Sequence, residues 1–224
     1  MKKTLLIFWI LIAVTLNAQH ITQKGVDIKV GYNTPLFNFN DYYGGGLGIA
    51  FSMLYPFADN LQFTLNTGYQ NWSFDNTAFN LKNTNEYYTD FNFDAPIFII
   101  PLTLGIKYYA SSTKVKPYFS AEFGFFYYTQ EISGTYTWIG NPSGTGNTYT
   151  LAPIKDSGFK TMLSTGAGAT VPLNNNLDLD FQIKMNALFN AQSVKESDNA
   201  GAVEGTSSTI FSLSIIGGIN YYFN

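Results

Sequence analysis

Apolar and polar side chains alternate along most of the chain, with a period of two rather than 3.6. The clearest case runs from Leu177 to Asn190. Leu177, Leu179, Phe181, Ile183, Met185, Ala187 and Phe189 occupy one set of positions, and Asp178, Asp180, Gln182, Lys184, Asn186 and Asn190 the other. Leu188 is the exception, an apolar residue in the polar register. Successive side chains of a strand point to opposite faces, so this segment predicts a strand with one greasy and one wet side. The same reading applies at 26–33, 47–55, 61–70, 98–108, 119–130, 160–171 and 211–223, which makes eight strands.

The connections between these segments alternate in length. Short turns are predicted at 56–60, 111–114 and 174–176, each rich in turn-forming residues. Long loops are predicted at 34–45, 75–96, 133–158 and 192–208, crowded with Asn, Gly, Ser, Thr, Asp and Tyr. Short turns at one end and long loops at the other describe an up-and-down meander with a polarity, as in membrane barrels.

Alternation does not say which face is outside, and here composition helps. The chain of 224 residues is 46% hydrophobic and 17% aromatic but only 12% charged. A soluble barrel, such as a secreted lipocalin-like ligand binder, would turn a surface rich in Lys and Glu to water. The polar faces here carry mostly small or uncharged residues, which suits an enclosed lumen, while the bulky faces are free of charge, which suits lipid. The expected fold is therefore all-β, an eight-stranded antiparallel up-and-down transmembrane β-barrel. Tyr32, Tyr55, Trp72, Tyr108, Tyr109, Tyr127, Tyr128, Phe189 and the run Tyr221 to Phe223 fall near strand ends, as interfacial girdles do.

The N-terminus reads as a secretory signal, with Lys2 and Lys3 ahead of an apolar run from Leu5 to Leu16 and Ala18 for cleavage. The run is too short for a retained anchor, since a helix needs about twenty residues to cross. Residues 1–18 are thus expected to be a signal peptide and 19–224 one barrel domain exported to the outer membrane.

The chain has no cysteine, which excludes disulfides and thiolate metal clusters. Its cations are all lysine and the formal charge is −3, so nucleic acid is not an expected partner. The sole histidine, His20, leaves no general base within the strands, and no catalytic function or cofactor is expected. The acidic loop 75–96 lacks calcium-loop spacing, and Gly144-Thr145-Gly146 is no phosphate cradle. By alternation Asp27, Lys29, Lys107, Glu122, Lys160, Asp178, Asp180 and Lys184 point into the lumen, either as a structural ion-pair network or as the lining of a narrow polar pore. Phe79, Tyr87, Tyr88, Phe91, Tyr136 and Trp138 on the long loops are candidates for a binding surface.

The run from Ile100 to Tyr109 and that from Lys116 to Gly124 resemble the centre of small bacterial outer-membrane barrels, the porin-family domains in the style of OmpX, OmpA and Opa. The strand from Phe211 to Phe223 resembles their closing strand, although here Asn224 follows the terminal aromatic. The abundance of Asn and the Ala18-Gln19 junction resemble Bacteroidetes-type exported proteins. The resemblance implies outer-membrane lipid as surroundings and the outer-membrane assembly machinery as a partner reading the last strand. It is compatible with a structural role, with contact to an extracellular ligand or surface partner through the loops, or with a narrow passive pore for small solutes or ions.

Overall fold

The structure, a computed structural model, describes residues 23–84, 87–110, 115–140, 146–196 and 203–223, with the backbone alone at Asn38, 191–196 and 203–208. The expected signal segment 1–18, His20, the turn 111–114 and the Gly144-Thr145 pair lie outside these residues.

Nine strands form one antiparallel sheet: β1 (Gly25–Leu36), β2 (Gly46–Ala58), β3 (Leu61–Trp72), β4 (Tyr88–Asp94), β5 (Ile97–Tyr109), β6 (Lys116–Trp138), β7 (Asn147–Pro172), β8 (Leu177–Glu196) and β9 (Val203–Tyr222). Eight of them close a ring in the order β1-β2-β3-β5-β6-β7-β8-β9, with β9 returning to β1 from Gly25–Tyr222 to Leu36–Phe211. No helix among the described residues is long and apolar enough to cross a membrane. The eight alternating segments of the sequence are these eight ring strands. Strand order follows chain order, as short connections dictate.

Among the described residues the start of β1, the end of β9 and the turns at 59–60 and 173–176 share one rim. Asp59 and Asn60 make a two-residue turn, and Asn176 Nδ2 ties the β7–β8 turn to the Tyr222 carbonyl at 2.9 Å. Asp59-Asn60 and Asn174 to Asn176 are residues suited to tight turns, and the sequence marks both.

The other rim departs from expectation. Residues 133–138 and 147–158, read as loop from their Gly, Ser and Thr content, continue β6 and β7 as a paired ribbon. Thr and Tyr favour strands once a partner ribbon is present, and this pairing outweighs the scattered glycines. Strands β6 and β7 run to 23 and 26 residues, more than twice the roughly 9–11 that a tilted strand needs to cross a bilayer. The β7–β8 ladder ends at Met162–Leu188, and above it the β6–β7 and β8–β9 hairpins rise separately.

The segment read as loop 75–96 contains α1 (Asn76–Asn83) and the extra strand β4, which pairs with the top of β6. Asp75 caps α1, its side chain accepting from Ala78 N at 2.9 Å. Pro96, with no N–H to donate, separates β4 from β5.

The faces are inverted relative to a soluble protein. Val30, Leu47, Met53, Leu104, Phe123, Phe181 and Ile215 are exposed on the outside of the ring, while Asp180, Ser212, Ser214, Asn186 and Asn220 are fully enclosed. Such a wall is stable only where its surroundings are apolar.

Candidate functional site

Three layers fill the lumen. The lowest, near the short turns, is ionic. Lys29 Nζ lies 2.8 Å from Asp27 Oδ2 and 3.1 Å from Asp180 Oδ2, and Lys107 Nζ lies 3.0 Å from Asp180 Oδ2 and 3.6 Å from Asp27 Oδ2. Two lysines thus share two carboxylates in a closed quartet. Tyr118 donates to Asp180 Oδ1 at 2.6 Å, and Tyr109 donates to Gln62 Oε1 at 3.1 Å just beside it.

The backbone explains how residues on non-adjacent strands meet. In the strand register Lys29 faces Gly218, and Gly218 faces Asp180. A Cβ on Gly218 would fall 2.4 Å from Lys29 Cγ. Leaving out that one side chain lets the lysine arm cross β9 to reach the carboxylate on β8. Buried charges persist only when paired and hydrogen-bonded, and the quartet meets that condition for four of them.

The middle layer holds a second pair. Lys184 Nζ lies 3.3 Å from Glu122 Oε2, which also accepts from Thr103 at 3.1 Å. Around it run neutral bonds: Gln182 to Ser120, Asn186 to Ser212 and Ser214, and Ser214 to Asn33. A cavity of about 30 Å³ lies here against Lys29, Asn33, Glu122 and Lys184, space for about two waters.

Of the eight lumen residues expected from alternation, the structure brings six into these two clusters. Asp178 is buried nearby, 3.9 Å from Lys116 Nζ. Lys160 sits half-buried higher up on β7 and joins neither cluster. Lys116, which alternation left out, was recognisable only from its place beside the turn.

The upper layer is apolar. Trp72, Ile97, Ile99, Phe126, Met162, Leu188 and Ile210 point inward from the ring and join Phe39, Tyr43, Phe79, Phe91 and Phe93 from the folded connections. Leu188, the break in the alternation, belongs to this plug. Tyr43 stacks on Phe39 with ring centres 4.4 Å apart, and Gln130 donates to its hydroxyl at 2.5 Å.

Two expectations are corrected by the packing of the lumen. Phe79 and Phe91 do not offer a binding surface, because α1 and β4 fold over the mouth and turn both rings into the plug, 5.4 Å apart. Trp72, Tyr109, Tyr128 and Tyr222 are not girdle residues either, since their register places them on the inner face. Tyr32, Tyr55 and Tyr221 do lie on the outer face. An amphipathic ring suits a lumen floor with a hydrogen-bond partner as well as an interface, so ring chemistry alone could not separate the two.

The remaining loop aromatics assemble on the sheet of β4, β6 and β7. Tyr88 opposes Trp138 and Tyr136 opposes Tyr149, with the Tyr136 and Tyr149 rings stacked at 5.7 Å and Trp138 edge-on to Tyr149 at 6.4 Å. Tyr88 and Tyr136 are partly buried, whereas Tyr87, Trp138 and Tyr149 are exposed.

A family profile described as "Outer membrane protein beta-barrel domain" matches residues 5–215. Among solved structures, Neisserial surface protein A is 14% identical with a TM-score of 0.48, over 89% of this chain and 97% of that one. The outer membrane protein OprG from Pseudomonas aeruginosa is 12% identical with a TM-score of 0.49, over 93% and 99%. Ail, the attachment invasion locus protein of Yersinia pestis, is 12% identical with a TM-score of 0.46, over 93% and 100%. No curated protein matches the sequence. With the profile spanning nearly the whole chain over a closed ring of eight strands that is apolar outside and polar within, this chain belongs to the outer membrane protein beta-barrel domain family.

Proposed function

We propose that the protein is a closed barrel that holds a rigid sheet above the outer membrane, and that it serves envelope structure or contact with a surface partner through that sheet. The observation carrying this reading is the filled lumen. Among the described residues the apolar plug fills the lumen at the long-loop end and the ion quartet fills it at the short-turn end, with a cavity of about 30 Å³ between them. An eight-stranded barrel is just wide enough for side chains to fill, and these side chains do so. A narrow passive pore would have to displace both layers, and catalysis has no part in this reading.

In the same reading the segment 1–18 directs export and is removed, and β9 is the strand that the outer-membrane assembly machinery reads. The exposed ring faces of Tyr87, Trp138 and Tyr149 are the contact surface, carried outward by the length of β6 and β7. The test is to replace 132–152 with a short turn and display both proteins on cells. Cells with the full chain should be retained on arrays of immobilised glycans or surface proteins to which cells with the shortened barrel do not hold. Equal retention on every surface would remove the sheet from the function.

A further inference from the structure

The sheet above the barrel has two edges, and the chain treats them differently. On the β4 side, Asn76 and Asn80 of α1 hydrogen-bond the backbone of Phe93 and Phe91 and cover the edge. On the β7 side, the ladder to β8 ends at Met162–Leu188, while β7 stays paired with β6 up to Asn147–Trp138. Among the described residues, β7 therefore has no strand against its second edge from Thr161 up to Asn147. An uncovered edge presents a row of N–H and C=O groups, a template for another extended backbone. The lower part of this edge is guarded: Pro153 has no N–H to offer, and Lys155, Asp156 and Lys160 bring charge. The upper part, 147–152, reads Asn-Thr-Tyr-Thr-Leu-Ala, without charge, proline or glycine, and is exposed except for the partly buried Leu151. Short neutral segments of this kind favour pairing with copies of themselves.

The segment is also complementary to itself. Two identical strands pair antiparallel about a two-fold axis perpendicular to their sheet, which keeps each residue on its own face. In the register centred on Thr150, that residue meets its own copy on one face, and Tyr149 meets Leu151 on the other. Threonine pairs and aromatic–aliphatic pairs are among the cross-strand contacts that stabilise a sheet. Strands β6 and β7 continue upward from the ring wall, so an axis perpendicular to their sheet runs along the membrane surface. The second copy then stands in an opposing membrane. Phe159 is exposed beside Tyr127 on the outer face of the ring. From there to Thr150 is about 30 Å of strand at roughly 3.3 Å per residue, enough to hold the edge clear of the lipid. We propose that the 147–152 edge of β7 pairs antiparallel with the same edge of a second copy in an opposing membrane. This pairing rests on the reading of the sheet as a contact surface outside the membrane, and it names the partner.

The experiment uses the full chain folded into two populations of phosphatidylcholine vesicles carrying different dyes, with mixed clusters counted by fluorescence. Clusters are expected when both populations carry the protein, and none when one population is bare. Thr148→Lys with Thr150→Lys sets like charges opposite one another in a self-pair and should abolish clustering of that variant with itself. Mixing it with vesicles that carry Thr148→Glu and Thr150→Glu should restore the clusters. Thr135→Lys with Thr137→Lys puts the same charges on the same face but on β6, away from the edge, and should cluster as the wild type does. Circular dichroism checks that each variant folds. Wild-type vesicles that stay dispersed overturn the proposal; if cells bearing the chain still hold to other surfaces, the sheet keeps its contact role with a different partner. Clustering with bare vesicles overturns the proposal in favour of lipid binding. Equal loss in the β6 and β7 lysine variants overturns the edge as the point of contact.

Discussion

Asn80 and Phe91 are joined by a reciprocal pair of hydrogen bonds. Asn80 Nδ2 donates to the Phe91 carbonyl at 2.5 Å, and Asn80 Oδ1 accepts from Phe91 N at 2.8 Å. One turn earlier, Asn76 does the same with Phe93, at 2.6 Å in both directions. Four residues of helix rise about 6 Å and two residues of strand about 6.6 Å, so side chains one helical turn apart meet alternate residues of an extended chain. Each side-chain amide stands in for a peptide group, and α1 closes the free edge of β4 as a neighbouring strand would.

Replacing both asparagines with alanine should release that edge. Each lost pair leaves two backbone groups to be satisfied by water, at about 1–3 kcal/mol where they stay enclosed. The expected outcome is faster hydrogen exchange at the Phe91 and Phe93 amides with the ring strands still protected. Unchanged protection at 91 and 93 would mean that β6 alone holds β4.

The outer face of β8 gives a second prediction. Phe181 is exposed on the lipid side and Gln182, its neighbour, is buried in the lumen. Phe181→Lys should weaken folding into vesicles by about 2–4 kcal/mol if the residue lies near the midplane, as a cation on the lipid face does. Folding at wild-type efficiency would mean that this face does not meet lipid.

The quartet predicts non-additivity. Lys107→Met strands Asp180 and Asp27 with Lys29 alone, and losing one partner of a buried pair costs about 3–5 kcal/mol. Adding Asp180→Asn to that variant should recover part of the loss, because the second change removes an uncompensated charge. Urea unfolding in vesicles measures both. A double variant as weak as the sum of the singles would show that the two residues do not interact.

Gly218 supports the same geometry from the backbone. Gly218→Val puts a branched side chain where Lys29 crosses to Asp180, and should lower the urea midpoint although the residue itself makes no side-chain contact. A matched change at Gly217, whose Cβ would meet only ring atoms of Phe181 at 3.7 Å, should be tolerated. Equal effects at the two positions would separate the quartet from the glycine.

Much of this architecture could be read from the chain because a strand's period of two leaves a visible trace when one face is lipid and the other is not. Asp27, Lys29, Lys107, Asp178 and Asp180 were assigned to the lumen by position alone, and they lie there. Which of them pair was not legible, since that depends on register across β9 and on the missing side chain of Gly218. The long-loop end was least legible. Phe79 and Phe91 look like exposed ring faces until α1 folds over the mouth, and that packing is long-range. Leu188 did carry a signal, because a lone apolar residue in the polar register marks the level where the lumen turns apolar.

The most direct test of the closed barrel is conductance of the refolded full chain in a planar bilayer under voltage. The filled lumen, with Trp72 and Leu188 above the ion quartet, predicts that insertion leaves the bilayer sealed. Reproducible stepwise conductance from the purified wild-type protein would contradict it.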